Sequence, residues 1–80
     1  MKTHSFLIKN SRAVLLNLVL EPLAHVFDLA PGSVLEVFVE QQPEAEAIEI
    51  ECFEDSVVIY SGGIAIVRSN GVEIEPQFMK

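Results

Sequence analysis

The sequence predicts an all-β protein, one small antiparallel β-sandwich or barrel of about seven or eight short strands, and three observations carry that reading. Apolar side chains recur at every second residue in several segments. Glycine, proline and asparagine turns separate those segments at near-regular spacing, and Pro22 interrupts the one apolar run long enough to coil.

The elements follow in chain order. A first strand ends at Asn10-Ser11. In residues 18–32, LVLEPLAHVFDLAPG, Pro22 lacks a backbone N–H and its ring would clash with a preceding helical turn, so the segment reads as two extended pieces. The competing reading is a helix over residues 12–21, because Leu16, Leu20, Leu23 and Phe27 also fit helical spacing. Pro31-Gly32 suits the two central positions of a type II turn. Residues 33–40 place Leu35, Val37 and Val39 on one face, with Val34, Glu36, Phe38 and Glu40 on the other, so Phe38 points to a second apolar surface.

Residues 41–46, QQPEAE, read as a longer exposed loop. In residues 47–54, Ile48, Ile50 and Cys52 oppose Glu49 and Glu51, the pattern of a half-buried strand with a wet outer face. Glu54-Asp55-Ser56 is a polar turn, and residues 56–61 and 64–68 are β-branched strands joined through Ser61-Gly62-Gly63. Asn70-Gly71 is a tight-hairpin signal, followed by Val72 and Ile74 opposing Glu73 and Glu75.

Eighty residues predict a single domain, residues 1–80, with a modest core. Half the residues are hydrophobic and 21% are charged, which is globular rather than disordered composition. Charge is uneven: residues 1–30 carry +1 and residues 31–80 carry −8. A phosphate backbone would be repelled by the second half, so direct nucleic-acid binding is not expected, whereas a basic partner would be attracted.

Lys2, Lys9 and Arg12 ahead of residues 13–20 imitate a signal peptide, but the apolar run ends in Glu-Pro. Glu21, His25 and Asp28 interrupt it well before the roughly 20 residues that a membrane span requires. With Cys52 as its lone cysteine, the expected location is the cytoplasm, with no membrane partner.

The run Leu18-Val19-Leu20-Glu21-Pro22, then Phe27, then Leu29-Ala30-Pro31-Gly32, resembles small uncharacterised bacterial all-β proteins. Those proteins share a Leu-Glu-Pro step, an aromatic residue and a Leu-x-Pro-Gly turn. The resemblance covers residues 6–40, with Leu23 standing where an aromatic is usual and His25 where a small or acidic residue is expected. It implies an all-β domain and brings no activity, cofactor or catalytic residue with it.

Candidate chemistry is sparse. Glu21 and His25 are the candidate metal ligands, an even number of residues apart on an extended strand, with Asp28 on the opposite face; a cation site wants three or more convergent groups. The acids from Glu44 to Asp55 lack the ordered oxygen spacing and glycine of a calcium loop and read as a solvated face. There is no G-x-S-x-G, phosphate-binding glycine loop or H-E-x-x-H motif, so no enzymatic activity and no cofactor is expected.

The favoured function is a non-catalytic β domain acting through protein contacts, a homodimer being one form, with Phe38, Phe53, Val58 and Tyr60 as interface candidates. An acidic inhibitor or nucleic-acid-mimicking decoy for a basic partner is the first alternative. A small-ligand or metal-binding protein is the second.

Overall fold

Two-residue alternation is realised most fully in the leucine-rich strand at residues 16–21, where Leu16, Leu18 and Leu20 are buried and the residues between them face outward. The computed structural model describes residues 2–41, 47–61 and 65–78. Among them the strands are β1 (Lys2–Lys9), β2 (Leu16–Glu21), β3 (His25–Leu29), β4 (Val34–Gln41), β5 (Glu49–Cys52), β6 (Ser56–Tyr60), β7 (Ala65–Ser69), β8 (Val72–Glu73) and β9 (Gln77–Phe78). They form a four-stranded sheet in the order β1-β4-β7-β8 and a five-stranded sheet in the order β5-β6-β2-β3-β9. The protein is an all-β sandwich, and no helix occurs among the described residues.

The core lies between the sheets. Leu18, Leu20, Phe27, Leu29 and Ile59 from the larger sheet meet Leu35, Val37, Val39 and Val67 from the smaller one, each no more than 4% exposed. Phe6, Ile8, Ile48, Val57, Ala65 and Ile74 close the margin of this cluster.

The turns follow the residue chemistry. Ser33 N donates to Ala30 O at 3.0 Å, and Gly32 adopts φ 77° at the third position, as a type II turn demands. Asn70 and Gly71 have φ values of 52° and 80°, closing the β7–β8 hairpin with both central residues left-handed. The Glu21-Pro22 bond is cis in the turn between β2 and β3, where Ala24 has φ 57°.

Several expectations are corrected. Residues 12–14 form a bend and residues 16–21 a strand, so the helical alternative fails: Leu16 and Leu20 align by twos with Leu18 as well as by fours with each other. The sheets are not wholly antiparallel, because β2 and β6 run parallel from Asn17↔Ser56 to Glu21↔Tyr60, a pairing that no local turn signal announces. Ile50 and Cys52 share the inward-facing side of β5 with their partners Ile59 and Val57, yet both are exposed. β5 is the edge of a five-stranded sheet covered by only four strands.

Val72 and Ile74 do not share a strand, since β8 ends at Glu73. Ile74 turns inward, its N–H donating to Val67 O at 2.9 Å. The expected loop at residues 41–46 and the Ser61-Gly62-Gly63 turn lie outside the described residues, apart from Gln41, which ends β4, and Ser61, whose N–H donates to Glu21 O at 2.9 Å.

Candidate functional site

Strand directions decide where the connections gather. Lys9 is paired with Val34, Leu16 with Leu29, Asn17 with Ser56, Cys52 with Val57, and Ser69 with Val72. These registers bring the connections 10–15, 30–33, 53–55 and 70–71 to one end of the sandwich. Loops held on a rigid sandwich end are a common place for binding surfaces.

One buried polar residue holds this end together. Asn10 is 0% exposed, and its Nδ2 donates to Val14 O at 2.8 Å and to Leu29 O at 2.9 Å, while its Oδ1 accepts from Arg12 N at 2.9 Å. Its backbone N–H donates to Ser33 O at 3.0 Å and its carbonyl accepts from Gly32 N at 2.7 Å. A fully satisfied buried amide specifies one loop arrangement, because every competing arrangement would leave some of these groups unpaired. Arg12 extends the tie, its Nη1 donating to the carbonyl of Glu54 in the β5–β6 turn.

The surface so fixed combines exposed apolar side chains with charged ones. Of the nine large hydrophobic side chains exposed among the described residues, five stand in these connections or one residue from them, Val14, Leu15, Val34, Phe53 and Val72, and Leu7 joins Val34 at a cavity there. Two open cavities accompany them. One of about 470 Å³ is lined by Arg12, Val14, Leu15, Glu54 and Asp55, and one of about 230 Å³ by Leu7, Val34, Glu36, Arg68, Asn70 and Gly71. Apolar lining contributes affinity by excluding water beneath a partner, while the charged groups beside it set orientation.

The outer faces of the two sheets differ in chemistry. On the larger sheet, register places Glu21, Asp28, Glu49, Glu51 and Tyr60 outward. Tyr60 Oη donates to Glu51 Oε1 at 2.9 Å, and Gln77 Nε2 donates to Asp28 Oδ2 at 3.2 Å. The hydrogen bond to Glu51 foremost, then desolvation and the negative charges of Glu51, Glu49 and Glu21, hold the Tyr60 phenol above its ordinary pKa. On the smaller sheet, the Arg68 guanidinium covers the Phe38 ring at 4.9 Å from its centroid.

The residues singled out from sequence are dispersed. Glu21 continues the outward-facing set of β2, whereas His25 is paired with Leu20 and lies on the inward-facing side of β3, so the two do not converge. Among the described residues no group of three or more His, Cys, Asp or Glu side chains is placed to hold a metal ion. His4 lies within β1, its Nε2 2.7 Å from Gln41 Oε1.

Of the interface candidates, Phe53 alone belongs to the loop end. Phe38 is on the outer face of the smaller sheet, under Arg68. Val58 and Tyr60 are on the outer face of the larger one, and Val58 is only 9% exposed, leaving little of it to contact. The four therefore form no common patch.

Sequence reasoning missed Val14, Leu15 and Val34. The signal was present, since Ala13-Val14-Leu15-Leu16 is an unbroken apolar run entering a strand that can bury only alternate residues.

Fold and site together define a small β-sandwich with exposed apolar and charged side chains gathered at one loop end. Compared with known proteins, the chain matches no family model, no curated protein and no solved structure.

Proposed function

We propose that this chain is a non-catalytic β-sandwich that works by holding another protein at its loop end. The observation that carries the reading is the concentration there of exposed apolar side chains beside two cavities, on loops fixed by Asn10. Burying apolar area is the main source of affinity in such contacts, and fixed loops lose little entropy on binding. A free thiol at Cys52 accords with a reducing cytoplasm as the working compartment.

Affinity capture with the wild-type chain and with a Leu15→Ser, Phe53→Ser double variant tests the proposal. The expected result is a protein retained at high salt by the wild type and lost with the variant. An identical set of captured proteins for both chains would overturn it.

A second reading is favoured by the outer face of the larger sheet, where Glu21, Glu49 and Glu51 surround Tyr60. That face suits a basic partner, as an acidic decoy would. Its contacts would be screened by salt, so partners that elute at moderate ionic strength and survive the Leu15→Ser, Phe53→Ser change support this reading over the first.

A further inference from the structure

Sheet edges invite pairing with other chains, and proteins blunt them by shortness, charge, proline or bulges. Three of the four edges here are blunted: β8 and β9 are two residues long, and β5 is four residues long with Glu49 and Glu51. β1 is the exception. It is eight residues long, pairs with β4 without interruption from Lys2↔Gln41 to Lys9↔Val34, and contains neither proline nor carboxylate. Leu7 projects from its outer face at 72% exposure, the highest of any large hydrophobic residue described, and Phe6 and Ile8 reach the core but stay half-buried.

We propose that β1, an edge strand among the described residues, pairs antiparallel with β1 of a second copy about a two-fold axis, joining two four-stranded sheets into one of eight strands. The strand is self-complementary. With Phe6 on the axis, Phe6 faces its mate, Ser5 faces Leu7, His4 faces Ile8 and Thr3 faces Lys9, so no like charges are directly opposed. Opposed positions are both odd or both even, which keeps the outward and inward faces continuous across the junction.

Charge favours a second copy at this edge. The −8 of the chain lies in residues 31–80, whereas β1 carries two lysines and no acid, so two copies meeting here bring their least negative strands together. A two-fold contact also closes on itself and leaves no β1 edge for further addition.

This inference goes beyond the loop-end reading and uses backbone that the loop end does not. Sedimentation equilibrium up to high micromolar concentration tests it, with circular dichroism to verify folding of each variant. Thr3 is exposed and is paired with Glu40 of its own chain, so a charge placed there acts on the β1–β4 pairing in the opposite sense to the dimer, and the urea midpoint of each variant separates the two effects. The wild type is expected to dimerise. Thr3→Glu, opposite Lys9 of the second copy, is expected to tighten the dimer several-fold, and Thr3→Lys to weaken it several-fold.

Leu15→Ser is expected to leave the dimer unchanged, which separates this outcome from failure of the loop-end reading. A wild-type chain that stays monomeric throughout, or a dimer indifferent to the charge placed at Thr3, would overturn the proposal.

Discussion

The side-chain amide of Asn10 donates to the carbonyl of Leu29 at 2.9 Å, fastening the residue after β1 to the last residue of β3 across nineteen positions of sequence. Asn10 is fully buried and Leu29 is 0% exposed, so water does not replace the bond when it is removed. Asn10→Ala is therefore expected to destabilise the fold by about 2–3 kcal/mol, read as a lower urea midpoint at unchanged slope. Asn10→Asp is expected to cost more, because a carboxylate oxygen would then face the carbonyls of Leu29 and Val14 that now accept from the amide.

Gly32 isolates a backbone effect. A Cβ there would meet nothing within 4 Å, but φ is 77°. Gly32→Ala is expected to lower stability by about 1 kcal/mol through conformation alone, measurable by thermal or urea denaturation.

Core and surface leucines should separate cleanly. Leu18 is 0% exposed between the sheets and Leu7 is 72% exposed on β1. Leu18→Ala is expected to cost about 2–5 kcal/mol, and Leu7→Ser to stay within about 0.5 kcal/mol, in the same denaturation experiment carried out on monomer.

Tyr60 reports on the acidic face. It is the one tyrosine of a chain without tryptophan, so ultraviolet absorbance of the phenolate follows it alone. It is expected to titrate above free tyrosine, and Glu51→Ala to move it back toward the ordinary value, because the hydrogen bond to Glu51 is the largest cause of the rise. The sign follows from the neutral phenol being favoured in the fold. The stabilising effect is present below the pKa of the unfolded chain and is lost as pH rises through the higher folded value.

What was legible in the sequence was local. Pro31-Gly32 and Asn70-Gly71 announce their turns because few residues tolerate positive φ, and Leu16, Leu18 and Leu20 announce a buried face because strand periodicity is two. The parallel pairing of β2 with β6 was not legible, since it joins strands distant in the chain. The exposure of Ile50 and Cys52 also depends on how many strands cover each sheet.

The candidate site was legible in one residue. Phe53 is at the loop end, whereas Phe38 lies on the outer face of the smaller sheet, where alternation along residues 33–40 puts it, and Tyr60 on the outer face of the larger. Asn10 reads as an ordinary turn residue in sequence, and only the return of β3 to the same end shows that it holds the site.

Hydrogen exchange of the chain alone and bound to its captured partner tests the central claim most directly. The loop end as contact surface requires new protection at residues 10–15 and 53–55. Protection confined to residues 49–51 and 58–60, with the loop end unchanged, would contradict it and assign the contact to the acidic face.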